Sequence, residues 1–471
     1  MSSTAARNVA ARSRLGAAGD GPGGRRAVRH RPGPAPRQGM ATAVLTLAGI
    51  GLGATIGTAV TAESKGSLAA AGGWATAAGR LSGLLGAYLM LVMVLLVARL
   101  PVLERAVGQD RIVAWHRRIG GWPIVLIGLH AVLITVGYAA LDRSGVLHQA
   151  YTLLDSYPDV LAATVAFGLL IAVGVSSYRR ARRRLRYETW WTVHLYTYLA
   201  LALAFSHQLA NGASFVGHPL ARLWWASMWG AVVGTVLLWR IGVPLWRSLY
   251  HRLRVVDVRQ EGPGVYSVVC AGEHLERLAV SGGQFFQWRF LKPGFWWQAH
   301  PYSLSALPRP PYLRVTVKDL GDHSRSLGSL RPGTFVAIEG PYGAFTRHSR
   351  TGDRVLLVAA GVGVTPVRAL LEDLPAGVDV EVVLRASRPE DLVLRDEVAA
   401  LVKARRGRLH QLVGDRHTVR TDAAALSTLV PDLHQRDAYV CGPDGFSDRL
   451  VAALRAAGTP AEQIHREEFA F

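Results

Sequence analysis

The chain is poor in cysteine, and that narrows its chemistry at once. Its 471 residues contain two thiols, Cys270 and Cys441. They show no local metal-binding spacing and no disulfide framework, and a cysteine-ligated iron-sulfur cluster needs more thiolates than two. Acidic residues are also scarce: 33 Asp and Glu stand against 53 Lys and Arg, a formal charge of +20. The surplus collects around Arg25 to Arg37 and Arg179 to Arg186, beside apolar segments and without an accompanying recognition module. That placement argues against nucleic acid and for anionic phospholipid headgroups. The opening residues lack the pattern of a cleavable signal peptide. Being polar and rich in Gly, Pro and Arg, residues 1–40 read as a disordered basic cytoplasmic tail. No histidine-rich or carboxylate-rich exterior loop offers a dedicated iron site.

What is present divides into two halves. Apolar segments at 41–62, 82–100, 119–140, 159–178, 190–210 and 223–243 each approach the thickness of a hydrocarbon core, which predicts a six-helix transmembrane domain over 41–250. The Arg-rich loops 98–118 and 176–188 fall on one side of that arrangement. With the basic tail, they place the N terminus and the C-terminal half in the cytoplasm.

Two histidine pairs stand out in these segments. His116 and His130 lie 14 residues apart, and His194 and His207 lie 13 apart. Such spacings are about 20 Å of helix rise and nearly whole turns, so each pair keeps one helix face while marking two depths. Matching depths pairs His116 with His194 and His130 with His207, as axial ligands of two stacked haems. Bis-imidazole ligation fills both axial positions and favours outer-sphere electron transfer over direct substrate ligation. A single intramembrane histidine would be read as an ordinary polar residue; four in matched pairs make that reading harder to hold. His148, His218 and His251 are assigned to loops or a membrane border. Trp122, Trp190, Trp191, Trp224, Trp225 and Trp229 are read mostly as interfacial anchors.

The second half has the punctuation of a soluble enzyme. Short strand-like pieces broken by Gly and Pro predict an antiparallel β-barrel over 251–350. From 351 to 471 buried strands alternate with helices, the pattern of an α/β domain with a parallel sheet. Gly361-Val362-Gly363-Val364-Thr365-Pro366 follows the first of these strands and opens a helix. Its small residues let a diphosphate approach the backbone, and the helix N terminus supplies oriented N–H donors.

With its four histidines on the third and fifth apolar segments, the chain resembles the ferric reductase and NADPH oxidase family. Its second half is similar to the FAD/NAD(P)-binding module of ferredoxin-NADP reductase-like enzymes. His300-Pro301-Tyr302-Ser303 resembles that module's flavin-binding strand, in which Arg often takes the first position. The resemblance implies that Tyr302 and Ser303 line the isoalloxazine or ribityl chain, with His300 near the flavin phosphates. A plain strand entry would contain the same four residues. Lys318 and the segment 321–327 match the element that closes over the dinucleotide, with Ser324 and backbone N–H groups toward the pyrophosphate. Residues Glu339 to Gly343 match a boundary loop whose role is structural positioning as much as cofactor contact. Cys441-Gly442-Pro443 matches the loop beside nicotinamide. Ser387 and Arg388 fall where adenosine ribose or a 2′-phosphate would be met. Arg416 and Arg420 would add to NADPH selection, although a solvated basic face fits them almost equally well. Phe471 resembles the terminal aromatic that covers the flavin or positions nicotinamide, with Phe469 available for either task. Cys441 and Phe471 are the residues the resemblance places at the hydride step.

The implied activity is movement of electrons from cytoplasmic NADPH, or NADH, through FAD and two b-type haems to an exterior acceptor. That acceptor is a ferric complex or a redox partner. Two alternatives stay open: a dioxygen-reducing oxidase that makes superoxide, and an electron conduit for an exterior flavoprotein. The bilayer is the one partner the composition itself requires.

Overall fold

The computed structural model describes residues 38–107, 109–182, 184–185, 187–294, 296–415 and 417–467. Most of the expected tail, together with Arg416, Phe469 and Phe471, lies outside the described residues. The first half is helical: α1 (Gln38–Thr61), α2 (Gly73–Val97), α3 (Gln109–Ile119), α4 (Trp122–Leu141), α5 (Val146–Ser156), α6 (Val160–Ser177), α7 (Tyr187–Asn211) and α8 (Pro219–Val236). A π-helical turn, Leu237–Gly242, continues α8 into α9 (Val243–His251).

Among the described residues, five helical segments are long and apolar enough to cross a membrane: Thr42–Thr61, Gly73–Val97, Arg111–Leu141, Val160–Ser177 and Pro219–His251. The expectation of six is corrected at α7. With 25 residues this helix has the length, but Trp190, Trp191, His194, Tyr196, Tyr198 and His207 dilute its aliphatic content. A second correction concerns the first histidine pair. His116 lies on α3 and His130 on α4, separated by a turn at Gly120 and Gly121. Two residues without a β-carbon, followed by Pro123 without an N–H, weaken the helix there. Only His194 and His207 share one uninterrupted helix.

Small residues bring α2 against α4. A β-carbon on Gly79 would lie 3.1 Å from Ile134, and one on Gly86 2.9 Å from Ile127, the close approach that small residues permit between membrane helices. The tryptophans divide. Trp122 is 61 % exposed, as an interfacial anchor should be, whereas Trp225 and Trp229 are buried among Leu84, Tyr88 and Leu91. Burial of Trp225 is tolerated because its indole N–H donates to Gln208 Oε1 at 2.9 Å.

The strands β1 (Arg254–Gly262), β2 (Val265–Ala271), β3 (Phe285–Phe290), β4 (His300–Ser303), β5 (Tyr312–Lys318) and β6 (Val336–Tyr342) form two three-stranded antiparallel sheets, ordered β1-β2-β5 and β4-β3-β6. Single bridges, Arg254 with Phe335 and Leu304 with Val315, join them. The arrangement is therefore two sheets enclosing a core of Phe286, Trp288, Phe290, Leu313 and Val315, in place of the continuous barrel expected.

The remaining strands, β7 (Arg354–Ala360), β8 (Asp379–Ala386), β9 (Arg408–Val413), β10 (Asp437–Cys441) and β11 (Ile464–Glu467), make one parallel sheet in the order β11-β10-β7-β8-β9. Helices α10 (Val364–Asp373), α11 (Arg395–Ala404) and α12 (Asp444–Ala456) connect them. Because β7 and β10 are neighbours and parallel, their C-terminal loops emerge side by side, the usual place for a ligand in such sheets.

Candidate electron-transfer site

Helix α2 orients both histidines of the first pair. His130 Nδ1 lies 2.8 Å from Gly79 O, and His116 Nδ1 lies 3.3 Å from Met93 O. A carbonyl only accepts, so each ring carries its proton on Nδ1 and keeps the Nε2 lone pair for a metal. A β-carbon on Gly83 would come within 2.6 Å of His130 Nδ1, so that glycine makes room for the ring. On α7, His194 Nδ1 is 3.4 Å from Ser177 Oγ, and Trp190 stacks on the ring at 5.2 Å.

The rings of His116 and His194 meet edge-on, their planes 63° apart and their centroids 6.1 Å apart. One metal ion held by both rings needs roughly that spacing, given metal–nitrogen bonds of about 2.0 Å. The Nδ1 of His207 is buried beside the Ala204 backbone of its own helix. All four residues are imidazoles, the donor type that haem ligation uses.

In the flavin-like half, β3 holds β4 in register, with Phe286 opposite Tyr302 and Trp288 opposite His300. Trp288 Nε1 also donates to Tyr302 O at 3.0 Å. His300, Pro301, Tyr302 and Ser303 are brought against the short helix Asp322–Ser326: the His300 and His323 rings lie 3.7 Å apart, and Tyr302 Oη lies 3.3 Å from His323 Nδ1. Burial first, then His300 and Lys292, push the His323 imidazole down to about 4. It is therefore neutral near pH 7. Ser324 closes its own turn, donating to Gly321 O at 3.0 Å and accepting from the Leu320 N–H at 2.8 Å. Its single O–H donor is engaged within the loop. Lys318 is exposed at the end of β5.

The nucleotide-like loops meet as the sheet order requires. A β-carbon on Gly363 would lie 2.3 Å from Cys441 O, and Gly361 has φ +56°, so this approach demands glycine. Thr365 and Pro366 are buried in the first turn of α10, where Thr365 Oγ1 donates to Val362 O at 3.0 Å. Gly442 sits against Ala360, and Ser447 Oγ donates to its carbonyl at 3.2 Å. Pro443 is exposed just before α12. The Cys441 thiol is fully buried, and that burial, with Glu467 nearby, pushes it well above the ordinary thiol range. Ser387 and Arg388 are exposed at the C-terminal end of β8. The Arg388 guanidinium lies 3.3 Å from Asp391 and 3.4 Å from Glu390, and Arg420 is paired with Asp422 at 2.6 Å. Local carboxylates thus partly neutralise Arg388 and Arg420, two of the three arginines expected at the NADPH 2′-phosphate.

One functional feature had no motif to announce it. Arg314 on β5 grips Glu397 on α11 through two hydrogen bonds of 2.6 and 2.7 Å, and donates to Ser305 Oγ at 3.1 Å. Arg368 on α10 donates to Glu397 at 2.9 Å and also pairs with Glu372, which accepts from the Leu307 N–H at 2.9 Å and from Arg309 at 2.6 Å. Burial pushes the carboxyls of Glu372 and Glu397 up, but Arg368, Arg309 and Arg314 outweigh it and hold both below the ordinary range. This network fixes the flavin-like sheets to the nucleotide-like sheet. An Arg within the strand pattern YLRVTVK was the only signal of it.

Residues 82–205, which include the greater part of α2 and all of the candidate haem histidines but His207, match the family model described as Ferric reductase like transmembrane component. Residues 357–451 match the model described as Oxidoreductase NAD-binding domain. A ferric-reductase-like transmembrane part is joined here to a reductase part. Over 238 residues, 48 % of its length, the chain is 27 % identical to an NADPH oxidoreductase of Mycobacterium tuberculosis, covering 62 % of that protein. Over 233 residues, 46 % of its length, it is 35 % identical to the ferredoxin reductase component of a 3-ketosteroid-9-alpha-monooxygenase of Mycolicibacterium smegmatis, covering 65 % of that protein. The chain therefore spans somewhat under two thirds of the length of these curated relatives. Among solved structures, the FAD/NAD-binding domain of a nitric oxide dioxygenase from Vibrio cholerae aligns with 46 % of this chain and 98 % of its own, at 23 % identity and a TM-score of 0.40.

Proposed function

We propose that this membrane reductase oxidises NAD(P)H on the cytoplasmic side and delivers electrons across its helices to a redox protein outside. In this reading residues 41–250 lie in the membrane, 251–350 bind FAD and 351–471 bind the nucleotide. Helix α7 lies beside α6, where Ser177 meets His194. His116 and His194 hold one haem, and His130 and His207 hold the other. Bound FAD would turn a two-electron donor into single-electron steps, and haem accepts one electron at a time. The chain's own part is positional. The loops at Gly361 and Gly442 seat the nucleotide diphosphate, the strand His300–Ser303 lines the flavin, and the Arg314–Glu397 network fixes their separation.

The observation that carries this reading is the His116–His194 pair, 6.1 Å between ring centres, with Met93 O leaving the Nε2 of His116 available. A protein acceptor is favoured because the relatives bear names such as ferredoxin reductase component and reductase subunit, which describe members of larger assemblies. Among the described residues no cluster of three or more His, Cys, Asp or Glu is placed to hold a metal ion, so an iron substrate would meet no dedicated ligand set. Direct reduction of a ferric complex is the second reading, supported by the transmembrane family model.

The test is turnover of the full chain in detergent with NADPH, comparing cytochrome c with ferric citrate, each with and without superoxide dismutase. Faster reduction of the protein, insensitive to the dismutase, is expected. Faster reduction of ferric citrate favours the second reading, and dismutase-sensitive reduction points to an oxidase.

A further inference from the structure

Three arginines from the helical half converge on the middle of β6. Arg240 Nη1 donates to Glu339 Oε1 at 2.9 Å, Arg99 Nε lies 3.7 Å from the same oxygen, and Arg247 donates to Gly340 O. The Tyr342 hydroxyl also donates to Glu339 Oε1 at 2.9 Å, and the Arg99 guanidinium covers the Tyr342 ring at 4.2 Å. The Arg99 and Glu339 side chains are 16 % and 19 % exposed, so the charges are largely removed from water and depend on one another.

Two local features aim these arginines. Pro244 has no N–H to give to Arg240 O, and its ring would clash with that carbonyl in an α-helix. The helix widens instead into the π turn Leu237–Gly242, closed by Val243 N–H to Leu238 O, which carries Arg240 toward Glu339. Arg99 takes φ +60° directly after the end of α2. This is the helix whose carbonyls at Gly79 and Met93 orient His130 and His116. At the other side of the junction, β6 pairs with β3 and β3 with β4, the strand carrying His300–Ser303.

We infer that Glu339 is a positioning residue: it registers the flavin-binding strand against α2, and so sets the separation between the flavin and the haem held nearer the cytoplasm. This rests on the relay proposed above. Hydride transfer from the nucleotide does not pass through the junction, so the two steps should separate on mutation.

The experiment uses the full chain in detergent, with bound FAD and haem quantified first. Stopped-flow absorbance after anaerobic NADPH addition follows flavin bleaching and then haem reduction, and hydrogen exchange is read on the same samples. Glu339→Gln should leave flavin bleaching within about twofold and slow haem reduction by about tenfold or more, the scale on which small misplacements are felt. Exchange should rise over 336–343 and 237–247 but not over 354–441, and Glu339→Asp should recover most of the haem rate. Tyr342→Phe, which removes one hydrogen bond and keeps the ring, should give the same split more weakly. Equal haem rates and unchanged exchange in Glu339→Gln and Tyr342→Phe overturn the inference. If the parent chain bleaches flavin without reducing haem, the relay itself falls, and the exchange comparison still decides whether Glu339 docks the two halves.

Discussion

At the scale of single residues, two carbonyl oxygens on α2 decide how the first histidine pair presents its nitrogens. Gly79 O and Met93 O can only accept, so His130 and His116 carry their protons on Nδ1 and leave Nε2 with a free lone pair. Each of His116→Ala, His194→Ala, His130→Ala and His207→Ala is therefore expected to lose about one haem per chain, since one imidazole alone holds a haem poorly. Pyridine haemochrome assays measure this directly, and two intact haems in all four variants would overturn the assignment. Gly363→Ala is expected to act on the other side of the molecule. Its β-carbon would fall 2.3 Å from Cys441 O, and forcing the loops apart costs about 1–3 kcal/mol. Nucleotide affinity should drop roughly tenfold or more with FAD content unchanged, read as KM for NADPH against flavin absorbance; an unchanged KM would show that the loop is not the diphosphate seat.

Between elements, the network of Arg314, Glu397, Arg368 and Glu372 is the joint between flavin-like and nucleotide-like sheets. Both carboxyls are held below the ordinary glutamate value of 4.5. Groups with depressed values stabilise the folded state above that ordinary value and lose the contribution as pH falls through the lowered one. Thermal release of flavin fluorescence should therefore shift to lower temperature as the pH is taken from 6 toward and below about 4. Glu397→Gln should flatten that dependence and lower the midpoint at pH 7, because a half-buried Arg314 loses its carboxylate and keeps only Ser305. A midpoint in Glu397→Gln that tracks the parent at every pH would show the joint to be energetically idle.

For the molecule as a whole, the division into an apolar helical half and a strand-rich half was legible because periodicity and composition change near residue 250. The parallel sheet and its Gly361–Pro366 loop were legible for the same reason. Helix α7 was expected as a sixth membrane span; it has the length, but its aromatic and histidine residues leave it outside the five apolar segments. The break at Gly120–Gly121 was hidden within a continuous apolar run. The separation of the strands into two sheets was equally hidden, because strand pattern reports pairing partners poorly. The junctions at Glu339 and Glu397 escaped because each is made by residues distant in sequence that belong to no local motif.

The two halves are proposed to form one electronic path. Anaerobic titration of the purified full chain with NADPH, followed at the flavin and haem bands, tests it most directly. One flavin and two haems together take about four electrons, so about two equivalents of NADPH should bring all three to the reduced state. Bleaching of the flavin by about one equivalent, with haem absorbance absent or unmoved by further NADPH, would contradict the account and leave a membrane-attached flavin reductase in its place.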